Sequence, residues 1–299
     1  MPLLKVEADK LSNNQLERGV IEEVIERDEL FALFPFMRVN SKAYVYNREN
    51  GLSGAAFLDP NEEVPESAAT FTPITVTLKI IAGDVDVDKF IQATESDTND
   101  QKAVQIAAKS KALNRLFKQT LVSGDATANP KQFDGLSKLV TAGQTMDAAP
   151  NGGALTLSML DQLYDMVLTG ADAFFMRAGT IRAYRALVRA TGGTDATQVM
   201  IKDFGMVMAH NGTPLLRNDF LPGNETLGTG NNLCSVYAAR FNESDGLHAI
   251  YGGDNAGIVV EDIGTVQNKD ATRTRLKWYT ATALKSTKSL ARLRGITNI

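Results

Sequence analysis

Cysteine, histidine and tryptophan are almost missing from this 299-residue chain: Cys234 is its one cysteine, His210 and His248 its two histidines, Trp278 its one tryptophan. A lone cysteine cannot close an internal disulfide. Neither histidine has a Cys or His partner at ligand spacing, so a metal site would have to be gathered from scattered carboxylates. Cys234, His248 and Asp254 can be forced into a nucleophilic triad, but no reactive-thiol signature surrounds Cys234, and a buried structural cysteine is the plainer reading. The glycine-rich run from Gly223 to Gly228 lacks the Lys-Ser/Thr ending of a phosphate-binding loop. No apolar run approaches the roughly 18 residues that cross a bilayer. The amino end lacks the apolar core and cleavage site of a signal peptide, which suits cytosolic synthesis. A formal net charge of −4 removes the whole-chain basic signature of a nucleic-acid reader, so any DNA contact must be local. Together these absences argue against catalysis, a bound cofactor, metal chemistry and membrane insertion.

What is present is patterned. With 43% hydrophobic residues the chain can bury one sizeable core or two smaller ones. Ser12 and Gln15 form a capping-box pattern ahead of Leu16, Val20, Ile21, Val24 and Ile25, which predicts an amphipathic helix. Its wet face carries Glu17, Glu22, Glu23, Glu26, Asp28 and Glu29 against Arg18 and Arg27. It is either a solvated helix or an arm that lies on a neighbouring chain. An apolar knot of Leu30, Phe31, Leu33, Phe34 and Phe36 follows around Pro35. From Ala43 the period changes to two, with Tyr44 and Tyr46 alternating against Val45 and Asn47, and a matching run extends from Phe71 to Ile81. The roughly twenty residues between them, rich in Gly, Ser, Ala, Pro and acid, are too long for a tight turn. At about 3.3 Å per residue each arm of this hairpin reaches several tens of ångströms. Such a finger has too little core to stand alone, so its partner is expected on another subunit.

The spacing of Ala103, Ile106, Ala107, Leu113, Leu116, Phe117 and Leu121 predicts a long helix from Asn99 to Ser123, capped by Asn99 or Asp100 and stopped at Gly124. A mixed α and β region follows: a helix from Thr156, a short buried strand from Ala173 to Met176, and a helix from Thr180 to Ala190. Phe204 to Met208 and Pro214 to Arg217 read as a hairpin turning at Asn211-Gly212. The run Gly223 to Asn231 reads as an exposed loop, and strands are expected at Ser235 to Phe241, His248 to Tyr251 and Gly257 to Glu261. Between Lys269 and Arg294 there are eight basic residues and one acid, Asp270. Alternation there places Arg273, Arg275, Lys277 and Tyr279 on one face of a strand. That basic face is balanced by acids elsewhere in the fold, or it meets a neighbour's acidic arm or DNA phosphates.

This order of elements resembles the Hong Kong 97-like major capsid family of tailed bacteriophages. Local phrases add to the resemblance: Leu33-Phe34-Pro35-Phe36, Tyr44-Val45-Tyr46-Asn47-Arg48-Glu49, Asp84-Val85-Asp86-Val87-Asp88, Gly124-Asp125 and Phe133-Asp134-Gly135-Leu136. It covers nearly the whole chain. The resemblance implies an α+β fold with an arm over 1–40 and an extended loop over 41–82. It further implies a peripheral domain over 83–136 and 257–299, built on a spine helix over 99–123, and an axial domain over 137–256. The implied function is structural, not enzymatic: assembly into an icosahedral capsid of hexamers and pentamers that encloses double-stranded DNA. The implied place is the virion capsid, with assembly in the host bacterial cytoplasm. Some members cross-link covalently through a lysine in the extended loop, but none lies between Lys42 and Lys79 here, so the expected contacts are non-covalent. Because Met1 stands almost directly at the arm, a separate scaffolding protein is expected beside a portal, and a cement protein is a further candidate partner. The residues assigned to inter-subunit contact are Phe34, Phe36, Tyr44, Tyr46, Arg48, Glu49, Phe57, Glu62, Glu63, Arg273, Arg275 and Lys277. The alternative is an encapsulin-like nanocompartment shell holding enzyme cargo. The acidic arm, and the lack of a recognisable cargo-docking phrase, favour the phage reading.

Overall fold

Leu30 and Phe34 are apolar, sit one helical turn apart and are both buried, which draws the entering chain into the core. The computed structural model describes residues 29–297 apart from 61, 65, 95–99, 193–197, 202–204 and 254–255. The helix expected from Ser12 to Ile25 lies outside the described residues, as do Asn99, Phe204 and Asp254. A short helix α1 (Glu29–Leu33) leads into strand β1 (Phe36–Arg38). Strands β2 (Ala43–Gly51) and β3 (Thr70–Thr77) form a two-stranded antiparallel ribbon, with Ala43 opposite Thr77 and Glu49 opposite Phe71. The single run expected from Phe71 to Ile81 is in fact two strands. Leu78 interrupts it, donating its N–H to the Lys42 carbonyl, and the chain restarts as β4 (Lys79–Asp88) on a different partner.

Helix α2 (Lys89–Thr94) precedes α3 (Gln101–Ser123), whose first N–H groups are capped by the Asp100 carboxylate. At 1.5 Å per residue α3 is about 35 Å long. It ends where two backbones cross: Gly135 N–H donates to the Gly124 carbonyl at 2.9 Å. A Cβ on Gly124 would lie 2.3 Å from the Phe133 carbonyl oxygen, and one on Gly135 would lie 2.5 Å from that of Thr120. Glycine is needed there for closeness, not for an unusual φ.

The later elements are α4 (Leu136–Leu139), β5 (Thr145–Asp147), α5 (Leu157–Asp165, capped by Thr156), β6 (Ala173–Met176), α6 (Ala178–Ala190) and β7 (Gln198–Ile201). They continue as β8 (Gly205–His210), β9 (Thr213–Arg217), β10 (Glu225–Leu227), β11 (Gly230–Ala239), β12 (Leu247–Tyr251), β13 (Val259–Thr265), β14 (Ala271–Leu284) and β15 (Leu290–Ile296). The expected turn at Asn211-Gly212 is present, with both residues at positive φ, 50° and 83°. The expected exposed loop from Gly223 to Asn231 is corrected to a tight hairpin, β10 against β11. Its glycines serve packing: a Cβ on Gly230 would sit 2.0 Å from the Asn151 carbonyl oxygen, and Gly228 adopts φ 58° against Asn151.

Two sheets organise the body. In the five-stranded sheet β14 is the hub, pairing with β4 over Ala271–Thr280 along one edge and with β13 and then β12 along the other, while β1 joins beyond β12. The eight-stranded sheet runs β5-β15-β11-β6-β9-β8-β7 with β10 on β11. Its central strands are buried on both faces, as continuous apolar runs require. On β6, Phe174 and Met176 enter the apolar cluster that α5 and α6 cover, whereas Ala173 and Phe175 enter the cluster that holds Phe117 and Trp278.

Candidate assembly surface

Register decides which side chains of the ribbon meet the body. Tyr44, Tyr46 and Arg48 share one face with Val76, Ile74 and Thr72; Val45, Asn47 and Glu49 share the other with Thr75, Pro73 and Phe71. The first face clamps the root. Tyr46 Oη donates to the Leu284 carbonyl at 2.6 Å, Arg48 Nε to the Lys285 carbonyl at 2.8 Å and Arg48 Nη2 to the Leu284 carbonyl at 2.6 Å. Burial raises the Tyr46 phenol above its ordinary pKa, so it stays a donor. Tyr44 stands edge-on to the ring of buried His248, with the Lys285 ammonium over its face. Burial pushes the His248 pKa down, which keeps that ring neutral against the root.

Among the described residues, the second face and the segment beyond it have no such anchor. Val45, Leu52, Val64 and Phe71 are all more than half exposed, and Phe57 is fully exposed. Glu62 accepts the Asp59 N–H at 3.0 Å, while Glu49 and Glu63 are exposed. On a two-stranded ribbon, which has little core of its own, this is an exposed apolar row.

The basic face of β14 forms a ladder. Arg273 bonds Asp86 through two nitrogens at 2.7 Å each, Arg275 bonds Asp84 at 2.7 and 2.9 Å, and Lys277 pairs with Glu261. Asp86 and Asp84 come from β4, directly opposite Arg273 and Arg275 in register, whereas Glu261 of β13 is opposite Arg275 and reaches Lys277 on the diagonal. The arginine hydrogen bonds hold Asp84 and Asp86 below the ordinary carboxylate range, against a smaller upward push from desolvation. Beside the ladder Ile80, Ala82 and Tyr279 complete an open concavity of about 500 Å³. The balance by acids of the same fold that the sequence allowed is present on this face.

The remaining sequence-assigned residues separate. Phe34 is buried, and Phe36 is partly buried with its ring 6.1 Å from Trp278 and 6.4 Å from Phe117, so both serve the chain's own core. Tyr44, Tyr46 and Arg48 meet at the finger root, and Arg273, Arg275 and Lys277 share the ladder. Sequence reasoning missed Leu52 and Val64 as exposed apolar groups, although apolar residues inside an acid-rich connection were the available signal, and it read Phe71 only as the start of a strand. It also missed Asp84 and Asp86 as the ladder's other half, although their period of two mirrors that of Arg273 and Arg275. The Cys234 thiol lies 3.4 Å from Thr180 Oγ1, and burial pushes its pKa up, the reverse of nucleophile activation. His210 lies 2.9 Å from Asp161 and 3.3 Å from Tyr184 Oη, which fastens the β8–β9 turn to α5 and α6. Among the described residues no helix is long and apolar enough to cross a membrane.

Comparison with known proteins adds three kinds of finding. A family model described as SU10 major capsid protein matches residues 60–219. No curated protein matches. Among solved structures, the chain is similar to the holo-SrpI encapsulin complex from Synechococcus elongatus PCC 7942, at 20% identity over 99% of this chain and 96% of that one, with a TM-score of 0.75. It is also similar to the capsid of a native GTA particle, at 12% identity over 96% of each chain and TM-score 0.69. A third likeness is to a structure of Mycobacterium phage Adephagia, at 14% identity over 98% of each chain and TM-score 0.65. At such identities the likeness shows a shared fold, and the α+β, Hong Kong 97-like architecture expected from the sequence is the one observed.

Proposed function

Because the chain belongs to the family described as SU10 major capsid protein, and is thereby a structural subunit of a phage capsid shell, we propose that each copy drapes its β2–β3 finger over a neighbour without covalent links. The shell is of the Hong Kong 97 type, built of hexamers and pentamers, and it encloses double-stranded DNA. In this reading residues 1–40 are the arm and 41–82 the extended loop, 83–136 with 257–299 the peripheral domain, and 137–256 the axial domain. Assembly takes place in the bacterial cytoplasm with a separate scaffolding protein and a portal, a cement protein being an optional outer partner. The subunit itself has no enzymatic role.

One observation carries this reading. The finger holds its root by three hydrogen bonds to the body, yet leaves Leu52, Phe57, Val64 and Phe71 to water. A partner that covers them gains roughly 25 cal/mol for each Å² of apolar area removed from water, and in a closed shell the gain repeats at every subunit. Tyr44, Tyr46 and Arg48 then act by holding the finger's direction, while Glu49, Phe57, Glu62 and Glu63 meet the neighbour. Deleting Gly51 to Glu66 tests it: a soluble, folded subunit that forms no shells is the expected result, and normal shells refute it. The encapsulin likeness over 99% of the chain favours a second reading, a nanocompartment around enzyme cargo. Particles purified from their native source discriminate, with DNA and a portal supporting the first reading and a bound enzyme the second.

A further inference from the structure

Positive charge that lacks a counter-charge lies away from the most basic stretch of the sequence. On β14 the cations Arg273, Arg275 and Lys277 are matched by Asp86, Asp84 and Glu261. On α3, Lys102 pairs with Asp262 at 2.8 Å, and Lys111, Arg115 and Lys118 are each engaged. Helix α6 differs. Between Asp172 and Asp195 the sequence holds Arg177, Arg182, Arg185 and Arg189 and no acid. Arg177 turns inward to the Leu221 carbonyl. The other three follow spacings of three and four, so they form one stripe, opposite buried Tyr184 and the partly buried Leu187 and Val188. All three are exposed, and none forms an ion pair with any described residue. The acceptor that Arg185 Nε reaches, at 2.9 Å, is the neutral sulfur of Met208.

An ordinary solvated helix face mixes signs and gains from oppositely charged neighbours one turn apart. Here like charges repel along two turns, and a bound polyanion removes that repulsion. We propose that this face of α6 holds the phosphate backbone of double-stranded nucleic acid. The inference rests on the reading that the shell encloses double-stranded DNA, and it names one place where the wall touches that DNA. The three Cα positions rise about 4.5 Å and then about 6 Å along the helix, a span that matches a few phosphates at roughly 3.4 Å of axis per strand. Each guanidinium presents a planar fork that fits phosphate oxygens. A subunit of net charge −4 repels a confined polyanion, so contact requires a local patch of the opposite sign. The stripe carries arginine and alanine, with Ala186 and Ala190 exposed beside the arginines, so it offers no large apolar anchor for a docked acidic helix and no amide for reading adenine.

The test is a titration of purified subunit with a short mixed-sequence DNA duplex across a KCl series. Binding should weaken with salt, and the variant Arg182→Gln/Arg185→Gln/Arg189→Gln should lose roughly 3 from the slope of log K against log salt, at about 0.9 per phosphate contact. It should also bind at least about tenfold more weakly at moderate salt. The corresponding triple Lys variant should keep most of the slope, which separates a charge effect from a folding defect. An unchanged slope in the Gln variant overturns the proposal, as does wild-type subunit that does not bind duplex. Loss of binding to polyglutamate with duplex binding intact also overturns it and assigns the face to an acidic protein. If wild-type subunit forms no closed particles under any condition, the shell reading fails while the duplex result stands or falls by itself.

Discussion

The ring of Phe117 lies 4.6 Å from Trp278, 5.6 Å from Phe133 and 5.8 Å from Phe31, and the residue has no exposed surface. Rings so placed cannot close over a missing neighbour, because aromatic side chains are rigid and α3 is fixed at both ends. Phe117→Ala is therefore expected to cost about 3–5 kcal/mol of stability, read as a lower denaturant midpoint at unchanged m-value. A loss below about 1 kcal/mol would mean that the site collapses freely. The ladder on β14 behaves differently because it is partly solvated. Asp84 and Asp86 are more acidic folded than unfolded, so they stabilise the fold above the unfolded carboxylate pKa, and that contribution disappears as pH falls through the depressed folded values. Asp84→Asn/Asp86→Asn should lower the melting temperature at pH 7 and in low salt. The difference from wild type should shrink in about 1 M salt and vanish well below about pH 4. A difference that persists in acid would show that the carboxylates act by packing alone.

At the scale of elements, the finger is a lever whose bearing is chemically small. Tyr46 and Arg48 donate to backbone carbonyls of Leu284 and Lys285, where β14 ends, so the ribbon is tied to the hub of the five-stranded sheet. Tyr46→Phe/Arg48→Ala should leave the melting temperature within a few degrees of wild type and speed amide exchange selectively in 43–51 and 70–77, since only local opening becomes easier. Uniformly faster exchange across β14 would contradict that independence. The finger, the long helix α3 and the Asn211-Gly212 turn were legible in the sequence because each repeats a local rule over several residues. Two features were not. The break at Leu78 depends on which strand β4 pairs with, and pairing between residues nearly two hundred positions apart leaves no local trace. The β10–β11 hairpin was hidden because glycine reads as a flexible connection, whereas Gly228 and Gly230 pack against Asn151, about eighty residues earlier. Among candidate site residues, Phe34 and Phe36 carried an apolar signal that core and interface share, so their burial within the chain could be decided only by the fold.

At the scale of the whole molecule, the two proposed contacts respond to salt with opposite signs. Each subunit carries a formal charge of −4, so copies repel at long range while their fingers gain by burying apolar surface. Raising ionic strength from about 0.01 M to about 0.15 M shortens the screening length from about 30 Å to about 8 Å. Assembly followed by light scattering should therefore accelerate over that range. Retention of DNA through the α6 arginines should weaken over the same range, because each phosphate contact releases counterions less favourably as salt rises. A single KCl series on filled particles separates the two: shells should persist or tighten while their DNA becomes easier to release on breakage. Shells that dissociate at moderate salt before DNA contact weakens would mean that attractive ion pairs between copies, rather than covered apolar side chains of the finger, hold the wall together.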